Sequence, residues 1–203
     1  LLLLAPATTR LGGSALAQAA GRTLGAVPDV DDVAGLAAAF DAVQRLVAAG
    51  DVLAVHDRSD GGLLTTALEM ALAGHAGVAL SLPDDAEPLR WLFNEEAGLL
   101  LQVRRADRDR LLETLRASGL DGWCGRIGRV SGGDRLTVAR AGDVLLDRPL
   151  TDLHRLWAAT SHRMQRLRDH PDCADEEYEA LGDWSRPGLV PRVTFEPAAP
   201  AVG

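Results

Sequence analysis

The chain has 203 residues, 47% hydrophobic and 25% charged, which suits one sizeable globular core. A formal net charge of −8 excludes a broadly basic nucleic-acid surface. The cysteines, Cys124 and Cys173, lie far apart without a CxxC partner, which excludes a disulfide framework or zinc site and fits a reducing, cytoplasmic setting.

Leu1–Leu4 is too short for a signal peptide or a membrane span and reads as a buried strand. With no initiator Met and no basic flank, it predicts that the chain is a piece of a longer polypeptide. Leu11-Gly12-Gly13-Ser14 reads as a turn with Ser14 as the N-cap of a short helix to about Ala20. Asp29–Asp32 can cap a longer helix whose apolar positions Val33, Leu36, Ala37, Phe40, Val43 and Val47 recur at three and four, with Gly50 as its stop. Val52–Val55 reads as a strand and Leu63 to about Gly74 as an amphipathic helix.

Gly77–Leu82 reads as a strand, and a short helical segment follows the Pro83-Asp84-Asp85 turn to about Phe93. Gly98–Val103 is a continuous apolar run, as in a strand covered on both faces. Ala106–Ser118 reads as a helix ended by Gly119, with strands near Cys124–Val130, Arg135–Ala139 and Val144–Leu146. Thr151 and Asp152 begin a helix whose expected inner face is Leu153, Leu156, Trp157, Thr160, Met164 and Leu167. Pro171–Pro191 is acidic with little apolar periodicity, and Thr194–Gly203 is Pro/Ala-rich like a linker. The mixture predicts an α/β (α+β) fold, a layered mixed sheet with helices. Residues 1–150 form its main domain and 151–203 a helix plus connector.

The chemistry concentrates in His56-Asp57-Arg58-Ser59-Asp60-Gly61-Gly62, between a strand end and a helix start. Hard carboxylates, a hydroxyl and helix N–H groups aimed at one point suit a phosphate and its Mg²⁺. A polar turn in which Asp60 caps the helix explains the same residues. A serine-hydrolase reading fails, since triad members are brought together by the fold and no G-x-S-x-G elbow is present. Asn94-Glu95-Glu96 could meet a metal or form a solvated strand entrance. His75 suits a helix terminus, Trp91, Trp123 and Trp157 read as core or contact residues, and Arg163, Arg166 and Arg168 as a solvated face.

Leu11–Gln18, His56–Leu63, Leu92–Gly98 and the tract from Trp157 through Met164-Gln165-Arg166-Leu167-Arg168-Asp169 to Asp175 follow one another in a way that resembles the large, single-chain phosphoribosylformylglycinamidine synthase. The His-Asp-x-Ser-Asp-Gly-Gly element by itself resembles the wider aminoimidazole ribonucleotide synthetase superfamily. The resemblance implies that the chain is the second carboxy-terminal half-domain of the synthetase region plus the connector toward a glutaminase domain. It implies Asp57 as a Mg²⁺ ligand and Ser59 as a nucleotide contact, in a pseudosymmetric site that holds ADP. The implied parent is an ATP-dependent carbon–nitrogen ligase of purine biosynthesis with glutamine as amido donor.

The implied partners are the remainder of the same polypeptide, namely the amino-terminal domain, the first synthetase half and a glutaminase domain expected after Gly203. Small-molecule substrates join these, with no nucleic acid and no membrane. Cys124 and Cys173 do not sit in a glutaminase nucleophile motif, so no catalytic residue is expected within the chain. His56, Asp60, Glu95 and Glu96 are left unassigned. The alternative is a non-catalytic Mg-ADP-binding assembly module. Selenophosphate or thiamine-monophosphate kinases would need a phosphoryl-transfer loop in an amino-terminal half.

Overall fold

A computed structural model describes residues 1–185, 191–194 and 196. Pro187 and most of the Pro/Ala-rich stretch read as a linker lie outside the described residues. The chain forms two compact units, Leu1–Leu153 and His154–Gly203. Among the described residues no helix is long and apolar enough to cross a membrane.

The first unit is mixed α/β, built on two four-stranded sheets. Strands β1 (Leu2–Leu4), β2 (Val52–Asp57), β4 (Leu99–Val103) and β5 (Cys124–Arg126) form one sheet in the order β2-β4-β1-β5. All of its pairings are antiparallel, with Asp57 opposite Leu99, Leu2 opposite Leu101 and Leu2 opposite Arg126. Strands β3 (Gly77–Leu82), β6 (Gly128–Ser131), β7 (Arg135–Arg140) and β8 (Asp143–Pro149) form the other, in the order β6-β3-β7-β8. Here β3 runs parallel to β7, while β6 and β8 are antiparallel to their neighbours.

The expected strand over Cys124–Val130 is therefore two strands in two sheets. Buried Ile127 marks the crossing: its N–H donates to Leu1 O of the first sheet at 3.2 Å, and its carbonyl accepts Ser81 N–H of β3 at 2.8 Å. The transition carries no turn signal beyond Gly128, so local sequence does not mark the change of sheet.

Helix α2 (Val33–Ala48) and helix α5 (Arg108–Leu115) cover the first sheet. Their buried Ala39, Ala42, Val43, Leu46, Leu111 and Leu115 pack with Leu2, Leu4, Leu101 and Leu120. Each such leucine contributes roughly 1.5–3 kcal/mol by leaving water. The face of α2 turned inward differs from the expected one. Val33, Phe40 and Val47 are exposed, because the small Ala39 and Ala42 let the helix approach the core closely. The helix expected over Ala106–Ser118 is regular only over α5, then widens into a π-type turn at Arg116–Leu120, where Gly119 takes a φ of 83°.

Helix α3 (Gly62–Gly74) buries Leu63, Ala67 and Ala71 and packs against β2, β3, β4 and the short helix α4 (Pro88–Phe93). Helix α6 (Leu150–Arg168) follows β8 directly. Its expected inner face is exposed at Leu156, Trp157, Met164 and Leu167. The polar face is engaged instead. His162 stacks on Tyr178 at 4.1 Å and meets Asp175 at 2.8 Å, and Arg166 meets the same carboxylate at 2.9 Å. Those partners lie on α7 (Pro171–Ala180), a helix within the stretch read as aperiodic. Pro171 at its first turn and Asp172 beside it are its sequence signals.

Candidate functional site

The loop between β2 and α3 is shaped by glycine. Gly61 and Gly62 both take left-handed conformations, at φ 80° and 67°. A Cβ on Gly62 would come within 2.7 Å of the carbonyl oxygens of Leu92 and Asn94, so the close approach of α3 to the end of α4 requires glycine there. Gly61 stands at the N-cap of α3, and no side chain of the helix's own strand caps it. The expected Asp60 cap is not formed.

The cap comes from across the fold. Glu95 Oε1 accepts the Gly61 N–H at 2.8 Å and the Ala15 N–H, at the start of helix α1 (Ala15–Ala20), at 2.8 Å. One carboxylate thus ties the His56–Gly62 loop to the Gly12-Gly13-Ser14 loop and meets the partial positive charge of two helix starts. Within the second loop Ser14 is fully buried. Its Oγ accepts Ala17 N–H at 3.2 Å and donates to Leu11 O at 2.7 Å, so the expected cap is formed.

Glu96, 0% exposed, accepts Arg10 Nε at 2.6 Å, Arg10 Nη2 at 2.9 Å and the Arg10 backbone N–H at 3.1 Å. Burial opposes its charge, yet the Arg10 donors outweigh burial and hold the carboxyl below the usual glutamate range. Arg10 also donates to Asp29 O at 2.7 Å and pairs with Asp31 at 3.0 Å. Asn94, 1% exposed, donates from Nδ2 to Arg90 O at 2.6 Å and closes α4. The expected solvated entrance at Asn94-Glu95-Glu96 is therefore a fastening point, buried at Asn94 and Glu96 and half-buried at Glu95. Three adjacent polar residues before an apolar strand were its only trace in the sequence.

Arg58 is buried too. Its backbone N–H donates to Gly98 O at 2.7 Å and its Nε to Glu96 O at 2.8 Å, while Nη2 has no protein partner. Burial pushes this guanidinium down to about 10, against the pull of Glu96. His56 is pinned between Asp57 O, 2.8 Å from Nδ1, and Glu69 Oε2 of α3, 3.0 Å from Nε2. Thr66 Oγ1 donates to Asp57 O at 3.1 Å and fastens the strand end to α3.

What remains open to solvent is the rim: the Asp57 side chain is 70% exposed, and Ser59 and Asp60 are exposed beside it. The Gly61 and Gly62 N–H groups are already engaged, the first by Glu95 Oε1 and the second by Ser59 O at 2.9 Å. Among the described residues no three His, Cys, Asp or Glu side chains gather as a metal site. A single exposed carboxylate fits one position of a Mg²⁺ shell, because this ion keeps several waters and takes one or two carboxylates plus phosphate oxygens. Glu95 and Glu96 do not fit, since both are committed to protein donors. Cys124 is half-buried, and burial pushes its thiol up, which suits packing and not nucleophilic attack.

The family model described as AIR synthase related protein, C-terminal domain, matches residues 1–141. The fold is similar to T. maritima PurL complexed with FGAR, at 20% identity and a TM-score of 0.62, covering 75% of this chain and 27% of that one. It is also similar to T. maritima PurL complexed with ATP, at 19% identity and a TM-score of 0.56, and complexed with ADP, at 19% and 0.54, each covering 73% of this chain and 24% of that one. The chain thus spans about a quarter of the length of the structures it matches. With this family match over a mixed α/β fold of two four-stranded sheets, the chain belongs to the AIR synthase related protein C-terminal domain family.

Proposed function

We propose that this chain is the second carboxy-terminal half-domain of a phosphoribosylformylglycinamidine synthase and contributes one wall of a Mg-nucleotide site. The observation that carries the reading is the exposed rim of Asp57, Ser59 and Asp60, fastened from behind by Glu95, Glu96, Arg10, Thr66 and the His56–Glu69 contact. Fastened loops hold their outward groups in place before a ligand arrives, which lowers the cost of ordering them on binding. The motif order through Asp175 and the structural likeness to PurL complexes support the specific family.

In this reading Asp57 supplies a hard anionic oxygen and Ser59 donates its hydroxyl to a phosphate oxygen. The Gly61 and Gly62 amides shape the loop and do not grip the phosphate. When bound, Mg²⁺ offsets phosphate charge and orients it. The whole protein would use ATP and glutamine-derived ammonia to convert formylglycinamide ribonucleotide to the amidine, with the remainder of the polypeptide as its partner. The intact polypeptide, given substrate, Mg-ATP and glutamine, should form product; no product with glutamine or with free ammonia would sink this reading.

The engagement of Glu95 and Glu96 by protein donors favours a second version, in which the chain holds Mg-ADP as a structural element and performs no chemistry. Under it, Asp57→Asn lowers the ADP content of the purified intact protein while turnover per folded molecule stays near wild type. Loss of turnover at full ADP occupancy would instead place the loop in the reacting site.

A further inference from the structure

The first sheet has two ends. Asp57, opposite Leu99, marks the end with the loop described above. At the other end, four residues along β4 and roughly 13 Å away at strand rise, Val103 leads into the turn before α5. Beside it, the crossing from β5 to β6 carries Arg126 and Arg129 on either side of Ile127 and Gly128. Leu1 N–H donates to Gly128 O at 2.9 Å and holds the two strand systems together there. Between the turn and the crossing lies a cavity of about 370 Å³.

Arg105, Arg108, Arg126 and Arg129 line this cavity, and no carboxylate does. Arg108 is held by Asp109 through Nε at 2.7 Å and Nη2 at 2.9 Å. Among the described residues Arg105, Arg126 and Arg129 make no ion pair. In a chain with 29 acidic and 21 basic residues, three unpaired guanidinium groups around one concavity call for an explanation. Like charges gathered around one concavity repel one another. A multiply charged oxyanion reverses that sign, and planar guanidinium forks match its oxygens two at a time. The volume lies in the range of roughly 300–1,000 Å³ typical of small-molecule sites.

We infer that the four arginines form a second anion site, at the opposite end of the sheet from Asp57, that takes a phosphoanhydride: a di- or triphosphate group, free or carried by a nucleotide. This inference does not rest on the function proposed above. Occupancy would fasten the β4–α5 turn to the β5–β6 crossing through the ligand.

Inorganic tripolyphosphate, titrated calorimetrically into the intact polypeptide with EDTA present, tests the inference. Saturable binding is expected. The double variant Arg126→Gln/Arg129→Gln should weaken it at least tenfold, while Arg45→Gln on α2 leaves it unchanged. ATP binding more tightly than tripolyphosphate at the same site would identify a nucleotide as the source, and equal affinities a free polyphosphate. The inference is overturned by absence of saturable binding or by full binding in the double variant. Tight binding of a poly-glutamate peptide without tripolyphosphate binding also overturns it, in favour of a protein partner. Matching melting curves for wild type and double variant establish that any loss is local.

Discussion

Glu95 does more to hold the candidate site together than any of the rim residues Asp57, Ser59 and Asp60. Its Oε1 accepts N–H groups from Ala15 and Gly61, so Glu95→Ala removes the acceptor from two helix starts at once. Loss of a cap costs typically about 1 kcal/mol, so the variant should be about 2 kcal/mol less stable, a drop of roughly 4–8 °C in Tm. Glu95→Gln keeps the acceptor oxygen and should recover most of the loss in the same melt; equal damage from both variants would show that charge, and not the acceptor, matters.

Glu96 makes a separate, pH-dependent contribution. Its folded carboxyl titrates below the ordinary glutamate range near 4.3, so the folded state binds fewer protons than the unfolded state as pH falls through that range. The stabilisation is present above the ordinary value and is lost on acidification through the lower folded value. Denaturant titrations at stepped pH should show this acid decline in wild type and a shallower one in Glu96→Gln; the same slope in both would refute the assignment. At this scale the sequence displayed the residue types but not their commitments. Asp57, Ser59, Asp60, Glu95 and Glu96 look alike as polar loop residues, and only long-range contacts over 80 or more positions, such as Glu95 to Ala15 and Glu96 to Arg10, tell the fasteners from the exposed rim.

Among the elements, the junction of β2, α3 and α4 decides where the rim stands. Gly62→Ala places a methyl against the carbonyls of Leu92 and Asn94 and holds alanine at a φ of 67°. The backbone conformation by itself costs about 1 kcal/mol or more, and the contact forces α3 away from α4. We expect a lower Tm together with weakened ADP binding in the intact protein; a variant with unchanged melting and unchanged binding would contradict the packing argument. Local chemistry made many elements readable: Gly77–Leu82 has the bounds expected from its apolar run, and Ser14 caps α1 as its position before an alanine-rich turn requires. The errors share a physical cause. The inner face of α2, the split of Cys124–Val130 into two sheets and the polar face that α6 turns to α7 are all set by tertiary packing, which periodicity along one segment does not encode.

For the whole molecule, the family and the mixed α/β architecture were legible because the glycine-rich and acidic motifs recur in a fixed order along the chain, and residues 1–141 match the family model. The proposed role of this domain in a ligase depends on the rim binding nucleotide through a metal. The most direct test is the affinity of the intact polypeptide for ADP, measured by equilibrium dialysis in excess Mg²⁺ and in EDTA, for wild type, Asp57→Asn and Ser59→Ala. The account predicts that Mg²⁺ strengthens wild-type binding and that Asp57→Asn removes that Mg²⁺-dependent gain. Ser59→Ala should keep the gain and lose up to about tenfold in affinity, as expected for one neutral hydrogen bond. ADP binding that is equally strengthened by Mg²⁺ in wild type and Asp57→Asn would contradict the account.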